Sequence, residues 1–96
     1  MKRLFIALAL IFFGATALNA YEVKSGNFEK VIHSKRVVLV KFYATWCTPC
    51  KILKPEFEKA KKAVGKRALF VEYDVDGGKD ILRKYGVQAV PTMILF

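Results

Sequence analysis

From Tyr21 onward, apolar and polar positions alternate in blocks whose period switches between that of a strand and that of a helix. Tyr21-Glu22-Val23-Lys24 has the look of a short strand. Asn27 then precedes Phe28, Val31 and Ile32 at i, i+3 and i+4, which predicts a short helix with one buried stripe and Asn27 as its cap. Val37 to Ala44 is apolar almost without interruption and rich in β-branched residues, the pattern of an interior strand covered on both faces. After Cys50, Leu53, Phe57, Ala60 and Val64 recur at helical spacing with lysines between them, an amphipathic helix that Gly65 ends. Pro55 falls inside it, removes a backbone donor and predicts a kink one turn after the cysteines. Leu69 to Val75 reads as a second interior strand and Asp76-Gly77-Gly78 as the turn that leaves it. Asp80 to Tyr85 places Ile81, Leu82 and Tyr85 on one helical side before Gly86 stops it, and Thr92 to Phe96 is a last strand after Val90-Pro91. The order β-α-β-α-β-α-β predicts an α/β sandwich with a largely parallel sheet.

The first twenty residues have a different design. Lys2 and Arg3 precede the apolar run Leu4 to Phe13, which is followed by Gly14 and the small-residue stretches Ala15-Thr16-Ala17 and Leu18-Asn19-Ala20. A basic start, an apolar heart and a small-residue end are the marks of a secretory signal peptide. Cleavage after Ala20 is expected, with Ala17 as the second site, so residues 1–20 are the signal and 21–96 one domain. The alternative is an uncleaved anchor, since Leu4 to Tyr21 carries no charge, although its apolar heart is short for a span. Either way the expected location is exported, periplasmic or extracytoplasmic, with membrane contact only through an uncleaved leader.

Composition changes this picture little. At 96 residues the chain has room for one domain, and 54% hydrophobic content calls for a folded core. The formal net charge is +9, but the lysines and arginines are spread over every expected helix and no nucleic-acid motif accompanies them. Solvated helix faces account for the charge, and no nucleic-acid partner is expected.

The candidate chemistry lies in Trp46-Cys47-Thr48-Pro49-Cys50, which holds both cysteines of the chain. A C-x-x-C between the end of a strand and the start of a helix sets its first sulfur against the positive end of the helix dipole and unsatisfied N–H groups, which favours thiolate over thiol. Pro49, early in the helix, costs no hydrogen bond there. Cys47 is therefore the expected nucleophile and Cys50, one turn deeper, the resolving thiol. Three other uses compete. A purely structural disulfide closing so short a loop removes little chain entropy. A zinc site needs four ligands, and only Cys47, Cys50 and the distant His33 are at hand. Covalent haem attachment requires His directly after the second cysteine, where Lys51 stands.

Val40-Lys41-Phe42-Tyr43-Ala44-Thr45-Trp46-Cys47-Thr48-Pro49-Cys50-Lys51, the internal Pro55 and Val90-Pro91-Thr92, in this order, resemble the thioredoxin family over about Tyr21 to Phe96. The resemblance implies a three-layer α/β/α sandwich and a dithiol-disulfide exchange enzyme that needs no metal or organic cofactor. It implies a cis Pro91 beside the cysteines, with the Val90 backbone free to pair with an extended substrate segment. Trp46 would flank the pair and, with Thr48 and Pro49, face substrate; its alternative role is packing.

The chain departs from the family at three places. The family's buried Asp is replaced by Lys41, and the Lys on the neighbouring strand by Glu72, so both charges are reversed. A Lys41–Glu72 pair beneath the cysteines would make Glu72 the acid-base residue for Cys50, with Lys41 favouring thiolate. The alternative is that Lys41 snorkels to the surface and Glu72 is solvated. Thr48-Pro49 replaces the usual Gly-Pro spacer and bears on redox direction. The family's last antiparallel strand and helix do not follow Phe96, so the domain is expected to be C-terminally incomplete, with an open edge at the last strand. The functional expectation is an exported protein-disulfide oxidoreductase, favoured in the reducing direction, that acts on protein thiols and disulfides and is served by a membrane or soluble dithiol partner. The alternative is a redox-inactive module of the same fold that binds a peptide or partner.

Overall fold

The computed structural model describes residues 20–34 and 36–96; the expected signal peptide falls, up to Asn19, outside the described residues. The chain runs β1 (Tyr21–Val23), α1 (Phe28–Ile32), β2 (Val38–Tyr43), α2 (Thr48–Val64), β3 (Leu69–Asp74), α3 (Lys79–Tyr85) and β4 (Thr92–Leu95), with 3-10 turns at Gly65–Arg67 and Val75–Gly77. The strands form one sheet in the order β1-β3-β2-β4. Since β1 and β2 both run parallel to β3, each β-α-β step must cross over the sheet. The first step moves in one direction along the sheet and the second returns, so two right-handed crossovers put α1 and α2 on opposite faces.

Packing shows the same arrangement. Val38, Val40 and Phe42 of β2 join Val71 and Tyr73 of β3 and Val23 of β1 in one buried cluster with Phe28 and Ile32 of α1 and Ile81 of α3. Phe28 is its centre, with its ring 5.4 to 6.0 Å from those of Tyr73, Tyr85, Phe42 and Phe96. The alternate residues of the strands face α2, where Phe57 meets Phe70 at 5.1 Å. Two helices, a sheet and a third helix make the expected α/β/α sandwich. Among the described residues no helix is long and apolar enough to cross a membrane.

One expectation changes, that Asn27 caps α1, and the structure adds detail to two others. The sheet is parallel over β1, β3 and β2, but β4 lies antiparallel to β2. Alternation of element types does not encode the direction of an edge strand, which has a single neighbour to satisfy. Asn27 occupies the N-cap of α1 without a side-chain cap bond. Its Oδ1 accepts instead from the Lys24 N–H at 2.8 Å and its Nδ2 donates to Tyr21 Oη at 3.2 Å, so it ties β1 to the turn. Helix α2 begins before Cys50, at Thr48, and continues through Pro55 to Val64.

The connection to α3 depends on one close approach. Tyr73 Oη donates to the Gly78 carbonyl at 2.8 Å, and a Cβ at Gly78 would lie 3.0 Å from that hydroxyl and 3.1 Å from Ser25. A side chain there would push the tyrosine out of place. At the other end of α3, Gly86 adopts the left-handed conformation (φ 70°), and the chain turns towards Val90.

Candidate active site

Cys47 sits where β2 has ended and α2 begins. Its N–H donates to the Ala44 carbonyl at 3.2 Å, its backbone is extended, and its carbonyl accepts the Lys51 N–H. The residue is therefore the N-cap of α2, and its sulfur does what a capping oxygen does elsewhere: Sγ accepts the Cys50 N–H at 3.2 Å. Pro49 occupies the first turn, where its missing N–H leaves nothing unpaired. One helical turn brings the two Cα atoms within 5.3 Å, and Cys47 and Cys50 are joined as a disulfide. Both cysteines are buried, forming a small cluster with Ala44 against which Tyr43, Val75 and Val90 pack. Thr48 and Pro49 are exposed on the outer side of the pair.

Val90-Pro91 is a cis peptide, and Val90 packs onto the cysteine cluster. Trp46 is 66% exposed, which excludes a simple packing role, but it is not free. Its Nε1 donates to Asp76 Oδ2 at 2.9 Å, and Asp74 Oδ1 accepts the Asp76 N–H at 2.9 Å, so the indole is held by the 3-10 turn after β3. Between Trp46 and Val90 lies a groove of about 230 Å³ whose other walls include Val75, Leu82 and Val87. The groove is apolar, open and adjacent to the disulfide.

On the inner side, the reversed charges meet. The strands pair Lys41 with Glu72 and Glu72 with Glu22, so these three side chains share the face covered by α2. Lys41 Nζ is 2.8 Å from Glu72 Oε1, with side chains 2% and 12% exposed. Lys41 does not snorkel to the surface, and Glu72 is not a solvated side chain. The ammonium also stands 4.5 Å from the centre of the Phe57 ring, a cation–π contact that offsets part of its lost hydration. A cleft of about 300 Å³ is lined by Lys41, Glu72 and Cys50 together, with Lys51 and Lys54 at its side. The pair and the resolving cysteine thus open into one cleft.

Two residues of this cleft were not expected from the sequence. Glu22 and Tyr43 line it, and Tyr43 Oη donates to Glu22 Oε2 at 3.0 Å. Burial above all, then the hydrogen bond to Glu22 and the carboxylates around it, push the Tyr43 phenol well above its ordinary value. The only signal was strand periodicity: Lys41 and Tyr43 are two apart in β2 and must face the same side.

A thioredoxin family model matches residues 19–96. A mitochondrial thioredoxin-2 of Schizosaccharomyces pombe is 43% identical over 79 residues, covering 82% of this chain and 58% of its own length. A probable protein disulfide-isomerase A6 of Medicago sativa is 39% identical, covering 94% of this chain and 25% of its own. A thioredoxin of Mycoplasma genitalium is 40% identical, covering 73% and 68%. The chain thus spans little more than half of the first of these relatives and a quarter of the second. Among solved structures, the Malassezia sympodialis thioredoxin superposes with a TM-score of 0.74 at 34% identity, over 81% of this chain and 70% of that one.

Proposed function

The chain belongs to the thioredoxin family, and on that footing we propose that it exchanges disulfides with protein substrates through Cys47 and Cys50. The observation that carries this reading is the Cys50 N–H donating to Cys47 Sγ at the start of α2. That donor and the helix dipole hold negative charge on the same sulfur when the pair is reduced. The Cys47 thiolate then attacks a substrate disulfide. A bond forms between Cys47 Sγ and one substrate sulfur, and the other substrate sulfur leaves as a thiolate and takes a proton. Cys50 gives its proton to Glu72, attacks Cys47 Sγ, and expels the second substrate sulfur. Two electrons have passed to the substrate, and the protein is left with the disulfide seen here. A dithiol donor, membrane-bound or soluble, returns it to the reduced state, and no step requires a metal or organic cofactor.

The roles proposed for the surrounding residues rest on their positions together with the family resemblance. Lys41 keeps Glu72 at the cleft that ends on Cys50 and favours negative charge beside it. Val90 and Pro91 present substrate backbone, while Trp46, Thr48 and Pro49 form the surface the substrate meets. Direction is proposed as reducing because Trp-Cys-x-Pro-Cys resembles the reducing branches of the family. Export to a periplasmic or extracytoplasmic space is proposed from Lys2, Arg3 and the apolar run that follows.

Alkylation of the reduced protein at pH 6 tests the chemistry. Rapid labelling of Cys47 with Cys50 left behind is expected; two ordinary, equally slow thiols would instead indicate a redox-inactive binding module. Direction is read from the reduction potential, for which about −270 mV indicates a reductase and about −120 mV an oxidant.

A further inference from the structure

The apolar groove beside the disulfide does not end at α3. A second depression of about 390 Å³ shares Leu82, Val87 and Gln88 with it as a common wall and continues to Lys79 and Arg83. Helical periodicity explains which charges reach it. Lys79, Leu82 and Arg83 stand at i, i+3 and i+4 and form one flank of α3. Asp80 and Lys84 fall on the other flank, where Lys84 Nζ is tied to Glu29 Oε2 at 3.0 Å. Asp76, which accepts from the Trp46 indole, lines neither depression. The groove flank of α3 therefore carries two exposed positive charges with no carboxylate among the residues lining that depression.

We infer that the groove selects extended, cysteine-bearing segments with an acidic side chain a few residues from the cysteine, seated against Lys79 and Arg83. This rests on the thiol-disulfide exchange reading and names the substrate class of that same site. The apolar part accepts the residues beside the reacting sulfur, and the cationic part reads charge further along the segment. Exposed ion pairs are individually weak, so the preference is a modest factor and not an absolute requirement, about two- to fivefold for each charge.

The test uses a fluorogenic peptide disulfide with one cysteine, reduced by the protein with dithiothreitol as the electron source. Asp, Asn or Lys is placed in turn at each of several positions on either side of the cysteine, and kcat/KM is compared at low salt. At one position or two neighbouring ones, Asp is expected to exceed Lys by about fivefold, with Asn between them. Concentrated salt should reduce that ratio towards one. In the Lys79→Glu/Arg83→Glu protein, the order at the same position should invert. Equal rates for Asp, Asn and Lys peptides everywhere, in a protein that turns all of them over, would overturn this inference and leave the exchange chemistry standing. A reduced protein that turns over none of them would instead sink the exchange reading itself. A preference that survives charge reversal would also overturn the assignment to Lys79 and Arg83.

Discussion

At the scale of single residues, the Lys41–Glu72 pair is the feature that departs furthest from the family resemblance, and its burial sets what its removal should do. Glu72→Gln leaves the Lys41 ammonium beneath α2 without its carboxylate 2.8 Å away. Loss of one partner of a buried pair costs about 3–5 kcal/mol, and the open cleft beside Glu72 argues for the lower end. Lys41→Met/Glu72→Gln removes both charges and should recover most of that loss in urea unfolding; equal losses in single and double variants would mean that the charges are not coupled. Glu72→Gln should also slow turnover at neutral pH and change the pH–rate profile, and an unchanged profile would remove Glu72 from the mechanism. Tyr43 offers a second check. Burial first, and then Glu22, raise its phenol above the ordinary value, so its neutral form is the one the fold favours. That contribution is complete below the unfolded phenol's value and is lost as pH rises through the higher folded one. In a phenolate absorbance titration, Tyr43→Phe should remove one of the late-titrating steps, and an unchanged late limb would mean that the fold does not hold this phenol neutral. The residue types at 41 and 72 were legible through the family resemblance, but the choice between pairing and snorkelling was not. It depends on the β2–β3 register and on α2 as a roof, and neither is encoded next to either residue. Glu22 belongs to no motif and joins the cleft only when β1 is added beside β3, while Tyr43 lies in the active-site stretch but is marked for the cleft only by its strand spacing from Lys41.

At the scale of elements, α1 shows how a helix of five residues holds its place. Such a helix has almost no intrinsic stability and exists because tertiary contacts fix it. Phe28 supplies most of them, fully buried among four rings from β2, β3, α3 and the residue after β4. Phe28→Ala should cost about 3–5 kcal/mol in chemical denaturation, a large part of a small domain's stability. Glu29 supplies a polar tie: its Oε2 accepts from Tyr85 Oη at 2.8 Å and meets Lys84 at 3.0 Å, which joins α1 to α3. The Tyr85 hydrogen bond first, then Lys84, hold the Glu29 carboxyl below its ordinary value. A lowered folded value means that the tie stabilises above the unfolded carboxyl's value and is lost as pH falls through the folded one. Between pH 6 and pH 3 the native protein should therefore lose more of its urea midpoint than Tyr85→Phe does; parallel losses would show that the tie contributes nothing. Helical and strand periods announced all of these elements to within a residue or two. They could not announce that Asn27 would bond backward to Lys24 and Tyr21, since a capping residue chooses among nearby donors only once β1 is in the sheet. Nor could they give the direction of β4, which is set by its pairing with β2 alone.

At the scale of the whole molecule, the proposed leader and the proposed dithiol exchange make demands on each other. A reductase is oxidised once in every turnover, and an oxidising compartment offers no thiol pool comparable to that of the cytosol. An exported reductase must therefore receive electrons from a dedicated dithiol donor, and its steady-state form in the cell reports its direction. In an export-competent host that supplies such a donor, acid quenching and thiol alkylation of the full chain should find Cys47 and Cys50 mainly as free thiols. Extracts separated from membranes and exposed to air should carry the disulfide described here. A disulfide in both settings would mean that the protein hands oxidation to its substrates and that the reducing assignment is wrong. Mass spectrometry of the same material places the leader: a chain starting at Tyr21 is expected from cleavage after Ala20, while one that keeps Met1 and sediments with membranes would make residues 1–20 an anchor. Substrate capture separates the two cysteines in that setting. Cys50→Ser leaves Cys47 able to attack but removes the thiol that releases the substrate, so mixed disulfides should accumulate on non-reducing gels, and Cys47→Ser should form few. Adducts in equal amount from both variants would mean that the sulfur at the N-cap of α2 has no advantage over the one a turn below it.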